Sequence, residues 1–437
     1  MSLSQTHRAI DALWRIESPK VVASLARMLR GDLSLAEELA QDALVAALER
    51  WPGDGVPDNP GAWLMATARR RAIDVLRANA LHARKHEQIA HELEDVQQAT
   101  AHAVEDAADD PVGDDLLRLV FTACHPVLSS EAQVALTLRL LGGLTTDEIA
   151  RAFLVPEATI AQRIVRAKRT LAEREVPYEV PRGDELHARL SSVLSVVYLV
   201  FNEGYSATAG DDLVRPALCE DAMRLGRVLA GLMPREPDVH GLLALMELQA
   251  SRLKARTAAD GAPILLPDQD RTRWDRTLVT RGLDGLARAQ ALGGEDGLYA
   301  LQAAIAACHA RAARAAETDW PRIATLYARL QAVAPSPVVQ LNRAMAVSMA
   351  GDPAAALGIV DTLGEEKALR DYALLPGVRG DLLEKLGRHD EARSAFEQAA
   401  ALTRNARERE VFRKRAAACE DQADGGTTKS RDGDTGR

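Results

Sequence analysis

Aromatic residues are scarce in this chain: Trp, Tyr and Phe together make up 4% of 437 residues. β-Sandwich and barrel cores draw on aromatic and β-branched side chains, so this scarcity, with Ala, Leu and Arg abundant, predicts an all-α fold. Four cysteines occur, Cys124, Cys219, Cys308 and Cys419, far apart and with no CxxC. That spacing argues against a zinc knuckle or dithiol pair and reads as small buried hydrophobes. No apolar run approaches a membrane span, and the first twenty residues lack the basic-then-apolar order of a signal peptide, so a cytoplasmic chain is expected, without a membrane partner. A glycine-rich phosphate loop, HExxH and a nucleophile elbow are all missing, which predicts neither an enzyme nor a cofactor. His82, His86, His91 and His102 are too irregularly spaced to predict a metal site.

What is present is charge that changes sign along the chain. Lys and Arg number 54 against 63 Asp and Glu, a formal net charge of −9, which excludes a wholly basic protein but not a basic patch. Residues 60–85 carry six Arg or Lys against Asp74, and residues 86–115 then carry ten acids and no Lys or Arg. Residues 163–174 turn basic again, with Arg163, Arg166, Lys168, Arg169 and Arg174 against Glu173. These shifts predict a first domain over 5–85, an acidic flexible linker over 86–113 and a second domain over 114–175. The proline- and glycine-containing break at 176–185 opens a helical domain over 185–420, and 421–437 reads as a disordered tail.

The last third repeats itself. LNRAMAVSMAGDPAAALGIVDTL aligns with GVRGDLLEKLGRHDEARSAFEQAA, which brings Gly351 onto Gly387 at a shift of 36 residues. Small residues inside both helices of each copy, with a glycine turn between them, resemble the tetratricopeptide repeat.

Residues 144–171 are the most informative. Thr145 or Thr146 can cap a helix whose first turn holds Asp147 and Glu148. Ile149, Ala150 and Phe153 form its apolar face, Leu154-Val155-Pro156 is a short turn, and Pro156 and Glu157 open a second helix. Ile160 and Ile164 face inward there, leaving Thr159, Gln162, Arg163 and Arg166 outward. This is the helix-turn-helix pattern, whose second helix enters a DNA major groove. Gln162 suits an adenine edge, and Arg163 and Arg166 suit guanine edges or phosphates. A solvated basic face on a plain helical hairpin is the competing reading.

Upstream, residues 34–51 form an amphipathic helix with Leu39, Ala43, Ala47 and Trp51 on one face and Glu38, Gln41, Asp42 and Glu49 largely outward. A turn-rich loop, PGDGVPDNP, leads to a second helix over 61–77 in which Trp63, Leu64, Ala68, Ala72, Val75 and Leu76 are core candidates. The run AEELAQDALVAALERW, then NPGAWLMATARRRAIDVLR, then the acidic stretch, then LTTDEIARAFLVPEATIAQRIVRAKRTL resembles regions 2 and 4 of bacterial extracytoplasmic-function (ECF) sigma factors. The segments YLVFNEGYSA, DRTRWDR, GLYALQAAIAACHA, PSPVVQLNRAMAV and ALLPGVRGDLLEKLGR resemble the group with a fused C-terminal tetratricopeptide-like domain.

The resemblance implies that core RNA polymerase, through its β′ clamp helices and β flap, and promoter DNA are the partners. Glu38, Gln41 and Asp42 match the polar pattern that meets the clamp helices, with Asp42 standing where glutamate is usual. The helix 62–77 matches the segment that melts the −10 element, where Arg69, Arg70 and Arg77 would hold phosphates and the loop 52–60 a flipped base. Trp63 would stack on DNA or, as its apolar neighbours favour, sit in the core. Thr159, Gln162, Arg163, Arg166, Lys168 and Arg169 lie on the helix that would read the −35 element. The acidic linker would imitate phosphates in the polymerase channels or act as a plain spacer. An ordinary helix-turn-helix regulator would have no need of residues 34–77.

In YLVFNEGY, Asn202, Glu203 and Tyr205 either line a pocket or an intramolecular interface with the first two domains, or form a helix end with Gly204 as its cap. Arg271, Arg273, Trp274 and Asp275 read as a packed ion-pair corner. The size of the 185–420 extension and its short connection predict control of the first two domains in cis.

Overall fold

A computed structural model describes residues 3–87, 112–205, 214–258, 264–403 and 406–428. It is all-α, and among the described residues no strand occurs. Most of the acidic stretch at 86–113 and the end of the tail lie outside the described residues, as do His91 and His102. Two compact units form, the first closing at Pro234 and the second opening at Arg235.

The first unit begins with α1 (Leu3–Met28), α2 (Leu33–Asp54) and α3 (Pro60–Glu87). Asp32 starts α2 by accepting the amides of Ser34 and Leu35, each at 3.0 Å. Leu39, Ala40, Ala43, Ala47 and Trp51 are buried along α2, as are Leu64, Ala68 and Ala72 along α3, and the two helices pack together. Val75 and Leu76 are only half-buried. Next come α4 (Val112–Ala123), α5 (Ser130–Leu140), α6 (Thr146–Phe153) and α7 (Glu157–Glu173). Two further helices, α8 (Asp184–Tyr205) and α9 (Pro216–Leu232), complete the unit. They pack as an antiparallel hairpin at Gly204, where a Cβ would lie 2.7 Å from the Cys219 backbone nitrogen. Gly204 therefore serves the close approach of two helices; it lies inside α8 and not beyond its end.

The second unit holds α10 (Pro237–Ala250), α11 (Arg276–Ala291), α12 (Leu298–Arg311), α13 (Trp320–Val333), α14 (Pro337–Met349), α15 (Pro353–Leu363), α16 (Leu374–Lys385), α17 (His389–Leu402) and α18 (Ala406–Thr428). The last helix runs past Glu420, into the stretch expected to be a tail. The two copies read at a shift of 36 residues are the hairpins α14–α15 and α16–α17. Their turns contain Gly351 and Gly387 at φ of 106° and 73°, a left-handed backbone that glycine adopts without strain. Leu341, Ala344, Ala356, Leu382, Ala392 and Phe396 share one core across both hairpins.

Arg271 is the keystone of the α12 end. Its guanidinium donates to the carbonyls of His309 and Ala312, both at 2.7 Å, and to Thr318 Oγ1 at 3.1 Å. It also lies over the Trp274 ring, 5.1 Å from its centroid. Asp275 caps α11 through the amides of Thr277 and Leu278. The corner is thus a packed staple whose guanidinium holds carbonyl oxygens. Burial, with Arg252 and Arg271 nearby, pushes the buried His309 imidazole down to about 4. The unfolded chain binds a proton here near pH 6.5 and the folded chain does not, so stability is full above pH 6.5 and falls as pH drops toward 4. The fall is expected to approach 3 kcal/mol, each pKa unit being about 1.4 kcal/mol. Urea denaturation of the full chain at pH 7.5 and 4.5 checks this; His309→Gln should flatten that part of the profile.

Candidate nucleic-acid interface

Helices α6 and α7 are joined by a tight turn. Thr145 accepts the Glu148 amide at 3.2 Å while the Glu148 carboxylate accepts the Thr145 amide at 2.9 Å, a reciprocal cap that fixes the start of α6. Leu154 ends α6 in the left-handed region at φ 51°, a conformation that costs a non-glycine residue about 1 kcal/mol. Ile149, Ala150, Ile160, Ile164, Ala167 and Leu171 are buried and set the angle between the helices.

The side chains expected to point outward on α7 divide into two groups. Gln162, Arg166 and Arg169 are exposed, Arg169 pairing with Glu173 at 2.6 Å. Thr159, Arg163 and Lys168 are half-buried. Lys168 does not reach solvent freely: its ammonium pairs with Glu37 of α2, and both side chains are only 12% exposed. Glu37 also accepts Arg139 Nε from α5 at 2.5 Å and Gln41 Nε2 at 3.1 Å. Burial pushes the Glu37 carboxyl up, but Lys168 and Arg139 together outweigh it and hold the group below its usual value. The sequence pattern points to its neighbour Glu38 and gives Glu37 no role.

Three more links join the first three helices to the α4–α7 bundle. Arg15 of α1 pairs with Glu148 of α6. Arg27 of α1 meets the buried Asp115 of α4 at 2.9 Å. The Tyr178 hydroxyl donates to the carbonyls of Ala23 at 3.0 Å and Asp115 at 3.2 Å.

Helices α8 and α9 hold the helix-turn-helix from its other side. Arg224 donates to the carbonyls of Gly142 at 2.7 Å and Leu141 at 3.4 Å, just before α6. Arg215 pairs with buried Glu203 at 2.5 Å and donates to the carbonyl of Ala152 in α6. Tyr205 stacks on Phe201, with centroids 5.7 Å apart, and Asn202 is half-buried.

On the α2–α3 side, Glu38 and Gln41 are exposed, and Asp42 pairs with Arg71 of α3 at 2.6 Å. Arg70 and Arg77 are exposed, while Arg69 donates to Ser24 Oγ at 2.9 Å. Trp63 is half-buried and edge-on to Trp51, with centroids 5.3 Å apart. Both rings line a pocket of about 350 Å³ with Arg50, Asp54, Val56, Pro57 and Asp58. Asn59 caps α3 by accepting the Ala62 amide at 3.1 Å, which fixes the loop that forms this pocket.

Residues 16–81 match the family described as Sigma-70 region 2, and residues 118–171 match Sigma-70, region 4. Residues 189–290 match a family of unknown function (DUF6596). A protein of Rhizobium meliloti (strain 1021), described as uncharacterized, is 45% identical over 396 residues, 90% of this chain and 92% of its own length. The chain belongs to the ECF sigma factors with a fused C-terminal helical domain. As a sigma factor it recognises promoters in transcription initiation, with core RNA polymerase and promoter DNA as its partners. Region 2 of the factor is α1–α3, and region 4 is α4–α7. The hairpin α8–α9 belongs to the appended segment, yet it packs in the same unit as the two sigma regions. Among the described residues, no helix is long and apolar enough to cross a membrane, and no group of His, Cys, Asp and Glu could hold a metal ion.

Proposed function

We propose that this sigma factor is cytoplasmic and is held closed in cis, with regions 2 and 4 locked together and α8–α9 bracing region 4. The observation that carries the reading is Glu37, a region 2 carboxylate between Arg139 and Lys168 of region 4. The −10 and −35 elements lie some 25 base pairs apart by their names, roughly 85 Å along B-form DNA at 3.4 Å per step. Two regions bridged by an ion pair cannot occupy both elements at once, so the factor must open to work. In the closed form Lys168 is paired with a carboxylate instead of a phosphate.

In the open form each surface takes the partner that its chemistry fits. Glu38, Gln41 and Asp42 dock on the β′ clamp helices, Asp42 exchanging Arg71 for a clamp cation. Arg70 and Arg77 hold backbone phosphates of the melted −10 strand, with Arg69 steadied by Ser24, and the Trp51–Trp63 pocket receives an extruded base. On α7, Gln162 and Arg166 address base edges in the −35 groove, while Thr159, Arg163, Lys168 and Arg169 address phosphates. Region 4 also meets the β flap. The second unit is a tetratricopeptide-like platform that receives the opening signal through a protein partner. Asn202, Glu203 and Tyr205 support the brace: Glu203 orients Arg215, and Phe201 packs Tyr205.

The brace is tested in the full chain. Arg215→Ala with Arg224→Ala removes the hydrogen bonds to Ala152, Leu141 and Gly142 while leaving both sigma regions whole. Transcription from a responsive promoter should rise roughly tenfold, as loss of about 1.4 kcal/mol of closing energy requires. Transcription unchanged from wild type in a folded variant would sink cis control through α8–α9.

A further inference from the structure

Val165 lies in the middle of α7 and is 65% exposed, between the exposed Gln162, Arg166 and Arg169. A β-branched residue at an exposed helical site loses side-chain freedom and adds nothing to the core, so helix stability does not explain it. Ala158 and Ala161 are exposed on the same face. With Val165 they make a small apolar strip flanked by cations. Methyl-sized side chains let the helix axis approach a groove floor, and Val165 then projects beyond them. In the major groove, the one apolar group a base edge presents is the 5-methyl of thymine.

We propose that Val165 is a specificity-determining residue that selects thymine at one position of the −35 element through its 5-methyl group. The inference rests on promoter reading by α7 and extends it to one side chain and one base substituent. Glu37 engages the Lys168 flank of the helix, whereas the Val165 face lies open. The contact needs no proton or charge, so it adds selectivity to the salt-dependent hold of the arginines on phosphates.

The test uses the full-length chain with bacterial core RNA polymerase and a promoter library randomised across the −35 element. Wild type should favour thymine at one position, and V165A should lose about fourfold of that preference, the worth of one buried methyl group. Replacing that thymine by uracil in a synthetic promoter should cost wild type the same factor and leave V165A unchanged. V165T, which keeps one methyl, should fall between them. V165A should melt no lower than wild type, since alanine favours an exposed helix, and this separates reading from folding. The inference is overturned if V165A keeps the wild-type preference at every position, or if uracil costs V165A as much as wild type. A wild-type holoenzyme with no −35 preference would overturn promoter reading by α7 as well.

Discussion

Replacing Glu37 with glutamine is expected to open the factor. The substitution keeps shape and removes the charge on which Lys168 and Arg139 converge, leaving two cations side by side in a poorly solvated seam. Removing one partner of a buried, hydrogen-bonded charge pair costs 2–5 kcal/mol at an interface, and this pair is partly open to water. A loss of about 2 kcal/mol is therefore expected, which moves the closed–open balance roughly 30-fold. Fluorescence transfer between dyes on regions 2 and 4 of the full chain should show the separation, and transcription should rise with it. The exchange E37K with K168E should restore closure, because the pair is re-formed with its signs swapped. The pH dependence follows from the same ion pairs. Glu37 has its folded pKa depressed, so its contribution to closure is complete above the ordinary carboxylate range and is lost as pH falls through the folded value. Between pH 6 and 8 the proposed latch is therefore expected to be flat with pH, so acidity in that range does not open it.

Charge reversal on the exposed face of α2 is expected to abolish polymerase binding. Gln41→Lys with Asp42→Lys puts two cations where the docking face presents polar and acidic groups. Like charges brought together at an interface cost several kcal/mol, so affinity for core polymerase should fall roughly 100-fold or more. The fold should survive. The Asp42–Arg71 pair is exposed on both sides, and such pairs contribute under about 1 kcal/mol. Circular dichroism and melting should match wild type while binding is lost. A variant that binds as wild type would remove α2 from the polymerase interface.

Much of this was legible in the sequence because it is local. The Thr145 cap, the turn at Leu154, the inward Ile160 and Ile164, and the paired hairpins around Gly351 and Gly387 all follow from residues a few positions apart. What lies between elements was not legible. Glu37 and Glu38 are adjacent acids on one helix, and periodicity says only that their sides differ. That Glu37 meets a lysine 131 positions away depends on how two domains pack. Lys168 likewise reads as one more outward cation. Gly204 reads as a helix cap in NEGY but stands where α9 crosses α8, a contact that exists only once both helices form. The α8–α9 hairpin follows a proline-rich break that marks a domain boundary by composition, yet its inner face packs with the sigma regions. Val165 carries a weaker signal that was present: an apolar residue on the polar side of a basic helix.

The proposed closure of regions 2 and 4 on each other governs when this sigma factor works. It is tested most directly by mixing equal amounts of wild type and E37Q with sigma-free core RNA polymerase and measuring association on a sizing column across a concentration series. Both are expected to bind, E37Q at lower concentration by about the factor of its opening, and Q41K/D42K is expected to abolish binding in either background. Identical association by wild type and E37Q would contradict the closed form, and no association by either would contradict the polymerase-binding role itself.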